Sequence, residues 1–396
     1  MSKEVYSLIA REKFTCLGSE CSRDCCHGWD FVEVDDKTIS KWTALSEQGD
    51  TSLLADFIEL QADETPIMRM SDEKACLALD SDKLCSIQRR FGHEFISDTC
   101  RNFPRLDYNN KFRNYSTASL SCPDIVEQAL FSNDDIMFML NDNGSDEEVF
   151  GNNDDVLFAL DTLLSDILDL TDYSLGQSLF FVSDLFSDII KNMSFDGVTE
   201  NDIRGVRVHV ADYLSDIKKA VKQGKIKTNP VTSGSYWKTV FGYCQTRGVK
   251  AKFLENRGSP LRHAVEHCDD SFPGFGKVYA VIKRYKKKAN KQIKHQYNDL
   301  LRKYVRLVFI NKGFPLAPKS QLSFVLVECM VNISVLQLLM WIEVNKNDQL
   351  SDSFLKECIV EVDRKFVQSN VLVKTLEQDG HMQQVDKYCN AFLDIF

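Results

Sequence analysis

Thiols dominate the chemistry that this chain could perform. Cys16, Cys21, Cys25 and Cys26 fall within eleven residues, and Cys76, Cys85, Cys100 and Cys122 follow. The other cysteines, Cys244, Cys268, Cys329, Cys358 and Cys389, are scattered singly. Thiolate sulfur is a soft, charged donor suited to Zn²⁺ and to the iron of iron–sulfur clusters. The eight N-terminal thiols can build two four-cysteine sites, or one cluster with structural cysteines to spare. Neighbouring Cys25 and Cys26 usually point apart, so one centre would draw one or two of the first four together with distant partners. Structural zinc and unliganded buried cysteines are the plainer alternatives. The first twenty residues hold no apolar run long enough for an export signal. The expectation is therefore a cytosolic protein whose thiols stay reduced. Thirteen cysteines, an odd number, also argue against a complete disulfide framework.

Other constellations are weaker. Arg101 and Arg105 follow Cys100 in RNFPR. A guanidinium beside a sulfur site can hold an anionic cofactor group or stabilise a thiolate, and the plain alternative is a surface ion pair. His263-Ala-Val-Glu266-His267 fits H-x-x-E-H, the inverted zinc-peptidase pattern, with Glu328 available as a third ligand. Three fixed positions are a weak signal, and a polar helix face explains them equally well. Cys21-x3-Cys25 begins a radical S-adenosylmethionine motif, but Gly28 stands where its third cysteine would be. There is no G-x-x-x-x-G-K-[ST] and no G-x-G-x-x-G, so no Rossmann-type nucleotide site can be read.

The elements that must position these groups are mainly α. The pattern predicts a cysteine-rich N-terminal domain over 1–131 with short strands and loops, an acidic linker over 132–154, and an all-helical domain over 155–396. Within the first domain, 31–42 reads as a strand and then a helix capped by Asp35 or Asp36. Residues 51–62 read as helix, and 75–92 as a hairpin turning at Asp80-Ser81-Asp82. A helix starts near 121–131, with Ser121 or Cys122 as cap and Pro123 in the first turn. Apolar stripes predict helices over 156–170, 178–193, 203–224 and 291–312, the third stopped by Gly224. Residues 322–344 are apolar enough to span a bilayer. They contain Glu328, however, and a central carboxylate costs about 2.5–3.5 kcal/mol in lipid, which favours a buried core helix and no membrane.

Net charge is −10, unlike that of a general nucleic-acid binder. Residues 132–172 carry twelve acids and no Lys or Arg, whereas 277–306 carry eleven Lys or Arg and one acid, Asp299. Two solvated faces explain this pattern. An acidic dock for a basic substrate and a basic patch for a phosphate-bearing one are the sharper alternatives.

The ordered blocks FTCLGSECSRDCCHGW (14–29), CLALDSDKLCSIQRRFG (76–92), TCRNFPR (99–105) and SLSCPD (119–124) resemble the flagellin lysine-N-methylase (FliB-type) family. They are more distantly similar to CxxxCxxCC-type zinc/iron-chelating proteins. LLRKYVRLVFINKGFPL (300–316) looks like a further family block, although the C-terminal half diverges. The resemblance implies a cytoplasmic enzyme that methylates surface lysines of flagellin. It implies S-adenosylmethionine as methyl donor and an essential [4Fe–4S] cluster. The family's cysteines fall here on Cys16, Cys21, Cys25, Cys26, Cys76, Cys85, Cys100 and Cys122, without a statement of which bind iron. With no Rossmann loop, an open iron position is one way to hold the donor. Methyl transfer needs a neutral amine, yet a free lysine has a pKa of about 10.4, so a base or a shifted pKa is required. Tyr or carboxylate side chains near the cluster, such as Glu33 or Asp35, are candidates for that base. The rival reading is a structural zinc- or iron-binding protein without methyl transfer.

Overall fold

The computed structural model describes residues 4–27, 29, 32–49, 52–73, 75–109, 113–132, 138–141, 162–192, 205–206, 208–227, 229–250, 252–254, 259–314 and 319–367. The chain divides into a smaller unit, Ser7–Asp107 with Ser116–Phe138, and a larger one, Met1–Tyr6, Tyr108–Tyr115 and Met139–Phe396. The architecture is mainly α, as expected. Its few short strands lie in the first 141 residues, and every described element beyond them is helical.

In chain order the first elements are β1 (Glu4–Leu8), α1 (Ile9–Glu12), α2 (Asp36–Glu47), α3 (Ser52–Phe57), β2 (Ile58–Leu60), β3 (Pro66–Met68), α4 (Ser86–Phe91) and α5 (Asp98–Asn102). There follow β4 (Arg105–Asn109), β5 (Arg113–Ala118), α6 (Pro123–Val126) and β6 (Phe138–Asn141). Four strands form a sheet in the order β4-β5-β1-β6, and β2 pairs antiparallel with β3, Ile58 opposite Met68. The helix expected over 51–62 therefore ends at Phe57. There the backbone turns to pairing, with the Arg69 N–H on the Phe57 carbonyl at 2.8 Å. Elements this short cannot stand alone, and they are organised around one small core. Val32, Val34, Trp42, Leu53, Met68, Ala78, Ile87 and Ile96 are buried together, with Cys76 and Cys85 packed against them. The Trp42 indole N–H also donates to the Phe95 carbonyl at 2.7 Å, so this core residue is fixed in rotation as well as in depth.

Strand β6 stands inside the segment read as a linker, so 132–154 is not wholly unstructured. Residues 133–137 and 142–154 lie outside the described residues, as do Leu157 and Leu160 of the next predicted stripe.

The larger unit contains α7 (162–169), α8 (Leu175–Asn192), α9 (Val210–Lys222), α10 (Pro230–Thr246), α11 (Pro260–Glu266), α12 (Phe272–Gln296), α13 (Asn298–Asn311), α14 (Lys319–Asn347) and α15 (Asp352–Val362). Helix α14 carries the most apolar stretch. It is long and apolar enough to cross a membrane, but its apolar window is wholly buried in the protein. It is a core helix, with α8, α10, α12, α13 and α15 packed against it. Helices α10 and α12 approach closely at Gly234, where a Cβ would overlap the Phe275 carbonyl oxygen. The single helix expected over 291–312 is two helices that break at Tyr297 (φ −124°). The Tyr297 hydroxyl donates to the Leu350 carbonyl at 3.1 Å and to Asp352 at 2.8 Å, and this tertiary anchor interrupts an unbroken apolar pattern.

Candidate metal centre

Backbone devices bring distant cysteines into one region of the smaller unit. Cys25, Cys26 and His27 form a short 3₁₀ turn. The Asp24 carboxylate accepts the His27 N–H at 3.0 Å and faces His27 Nδ1 at 2.8 Å. The Cys76 N–H donates to the Cys26 carbonyl at 2.9 Å, which ties the first cysteine group to the hairpin. The hairpin expected over 75–92 closes with the bridge Leu79–Cys85, and Met70–Cys76 ties its start to the preceding chain, but its second arm ends there because Ser86–Phe91 is helix α4. Its turn is an Asx turn: Asp80 accepts the N–H groups of Asp82 at 2.9 Å and Leu84 at 3.0 Å, and Arg89 grips the same carboxylate. Cys85 then sits at the N-cap of α4, and Cys122 at the N-cap of α6 with Pro123 in its first turn.

Cys100 is positioned from further away. Ser97 caps α5, its hydroxyl accepting the Cys100 N–H at 3.3 Å. Asp35 caps α2 through the Thr38 N–H at 3.0 Å, and its other oxygen accepts the Thr38 hydroxyl at 2.8 Å and the Asp98 N–H at 2.7 Å. One carboxylate therefore joins the start of α2 to the start of the helix that carries Cys100. Burial alone would raise the Asp35 pKa, but the bonds from Asp98 and Thr38 outweigh it and hold the carboxyl below its usual value. A carboxylate so engaged is a poor general base, which removes Asp35 from that role; Glu33 is exposed.

The thiols sort into groups by mutual electrostatics. Cys26 is pushed far up, first by a hydrogen bond with Cys25, then by burial, then by repulsion from Cys25, Cys76 and Cys85. Burial pushes Cys76 up to about 11, with Cys85 and Cys25 adding to it. Cys85 is raised by burial and by Cys25, against the pull of the Gln88 and Ile87 N–H groups, which face its sulfur without closing a cap bond. Cys100 is raised by burial first and then by Cys25, Cys76 and Cys85, against the pull of Ser97. Cys25, Cys26, Cys76, Cys85 and Cys100 thus share one neighbourhood. Cys122 is pushed up to about 11 by burial, and its thiol neighbour is Cys21. Cys16 is exposed, its sulfur accepting the Gly18 N–H at 3.4 Å.

Burial and neighbouring thiols raise Cys26, Cys76, Cys85 and Cys100, and a bound cation would act in the opposite direction, since metal reverses the local pKa logic. The donor chemistry therefore fits zinc or an iron–sulfur cluster. The set is gathered but not closed: among the described residues, no three His, Cys, Asp or Glu side chains are already arranged to hold one metal ion.

The remaining predicted site residues have protein partners. Arg101 donates to the Ile96 carbonyl at 2.7 Å and pairs with Asp98 at 3.0 Å. The Arg105 guanidinium lies 5.3 Å over the Phe14 ring. The peptidase constellation does not assemble: Glu266 faces Arg262 at 3.5 Å, and Glu328 pairs with Lys312 at 2.5 Å. Sequence reasoning passed over His27 and Ser97. The run Cys-Cys-His was a visible signal for the first, and the Ser-x-x-Cys cap spacing for the second.

Fold and site together define a mainly helical protein with a small thiol-gathering unit suited to a soft cation. No family model and no solved structure matches the chain. It is 34% identical over 123 residues to the flagellar biosynthetic protein FliU of Salmonella muenchen, covering 30% of this chain and 71% of FliU. It is 33% identical to the lysine-N-methylases of Salmonella typhimurium, over 124 residues, and Salmonella choleraesuis, over 123. Those alignments span 30% of this chain and 30% of each enzyme. The chain belongs to the FliB-type family of FliU and these lysine-N-methylases.

Proposed function

We propose that this protein is a cytoplasmic lysine N-methyltransferase that acts on flagellin. Its methyl donor is S-adenosylmethionine, and it carries a [4Fe–4S] cluster on thiols from the set Cys25, Cys26, Cys76, Cys85 and Cys100. Kinship with relatives named lysine-N-methylase carries the reading. The thiol neighbourhood supports its metal component. A bound cluster supplies electron-poor iron able to hold an anionic or amine group of a ligand. The chain's own part is to present ionised sulfur: Ser97 and the N–H groups of Ala78, Ile87 and Gln88 all favour the thiolate forms.

A structural role for the metal is a second reading with its own support. Cys76 and Cys85 pack on the small core, so a metal there would staple a unit built from very short elements. Anaerobic purification with iron and sulfide analysis, followed by incubation with flagellin and labelled donor, separates the two. Label in flagellin lysines with a brown, iron-loaded protein supports the proposal. A colourless zinc protein, or an intact cluster with no label transferred, refutes it and leaves the structural role.

A further inference from the structure

His263 and His267 remain unexplained by the thiol centre. They stand four residues apart at the C-terminal end of α11, where side chains share one face. Both are solvent-exposed, and their ring centroids are 4.1 Å apart at an interplanar angle of 35°. His267 Nδ1 lies 2.9 Å from the His263 carbonyl oxygen. A carbonyl can only accept, so Nδ1 carries the proton and the lone pair of the neutral ring is on Nε2. Metal-ligating histidines are held in this way, one ring nitrogen donating to a backbone carbonyl so that the other is oriented for the metal. The helix C-terminus, where unpaired carbonyls gather, also favours a cation.

From this geometry we propose that His263 and His267 form a two-histidine chelate for a late first-row divalent cation of the Zn²⁺, Ni²⁺ and Cu²⁺ class, separate from the cysteine centre. Imidazole suits these ions, whereas carboxylate and carbonyl sets suit Mg²⁺ and Ca²⁺. The neighbouring acids are engaged elsewhere: Glu266 faces Arg262 at 3.5 Å, Asp269 accepts the Ser271 N–H at 3.1 Å, and Asp270 pairs with Lys238 at 2.5 Å. No third ligand completes the site among the described residues. The chelate therefore leaves coordination positions for water or an incoming ligand, and the ion is exchangeable. This is not the peptidase site considered above, because Glu266 and Glu328 take no part.

Ni²⁺ titration of the full-length protein, purified with its N-terminal metal in place, tests this by calorimetry. Retention of the untagged protein on Ni²⁺–iminodiacetate is a second readout. His263→Ala and His267→Ala should each weaken binding about tenfold or more, a loss at least as large as that from removing a supporting residue. The double variant should lose the remaining one-histidine contact as well, but by less than the sum of the two single losses, because the chelate is lost with the first ring. His295→Ala, which removes an exposed histidine of α12, should leave retention unchanged. His263→Gln and His267→Gln, checked by unfolding midpoint, separate loss of ligand from loss of fold. Unchanged nickel binding in the double variant overturns the proposal, as do strictly additive single losses, which would mean two independent one-histidine contacts.

Discussion

Removing the Asp35 carboxylate tests how the smaller unit is assembled. In Asp35→Ala, the Thr38 N–H loses its cap acceptor, and the Asp98 N–H and the Thr38 hydroxyl lose theirs. A lost N-cap costs about 1 kcal/mol. Each hydrogen bond to a charged acceptor contributes about 1.5 kcal/mol at the low end, and Thr38 is fully buried, so its hydroxyl cannot turn to water. The bonds share one side chain and will not add fully, so about 2–4 kcal/mol is expected from urea denaturation. Asp35→Asn keeps one acceptor oxygen and should lose about half as much. The effect also has a pH signature. The folded-state pKa lies below its ordinary value, so the contribution is present at neutral pH and disappears as pH falls through the folded pKa. The gap between parent and Asp35→Ala should therefore close below about pH 4. Because Asp98 opens the helix that carries Cys100, Asp35→Ala should also speed alkylation of Cys100. Equal stabilities at pH 7, or a gap that persists into acid, would refute the clamp.

Three further outcomes follow from the same structure. Serine at Cys26, Cys76 or Cys85 should remove most of the bound metal, whereas Cys16→Ser should keep it, since Cys16 is exposed and joins none of the described thiol couplings; metal analysis of purified variants decides this. Glu328→Leu removes the buried carboxylate that pairs with half-buried Lys312 and should cost about 3–5 kcal/mol, largely restored in Glu328→Leu/Lys312→Met. Within α10, two glycines should respond with opposite sign in thermal unfolding. Gly234→Ala collides with the Phe275 carbonyl and should cost about 1–3 kcal/mol. Gly242→Ala meets nothing within 4 Å and should stabilise by about 0.5–1 kcal/mol.

Much of the local structure was legible because it follows from short-range chemistry. Asp35 as cap, the turn at Asp80, Cys122 with Pro123 at a helix start and the stop at Gly224 each rest on one side chain meeting backbone a few residues away. Local pattern and observed structure part where distant groups intervene. Phe57 stops a helix because Arg69 pairs with its carbonyl, and Tyr297 breaks one because Leu350 and Asp352 hold its hydroxyl. Neither partner is visible in a local window.

The thiols show the same division. Cysteine type and number, read from the chain alone, determine which cations these residues could hold, soft ones, because sulfur's affinity is a property of the atom. Which cysteines can act together is a matter of position. Only the tertiary structure brings Cys25, Cys26, Cys76, Cys85 and Cys100 into mutual repulsion, leaves Cys21 with Cys122, and places Cys16 in solvent. The hydrogen bonds that do this, from Cys76 to Cys26 and from Asp98 to Asp35, cross fifty and more residues of chain. Their partners are set by the packing of the small core around Trp42, which no spacing of cysteines encodes.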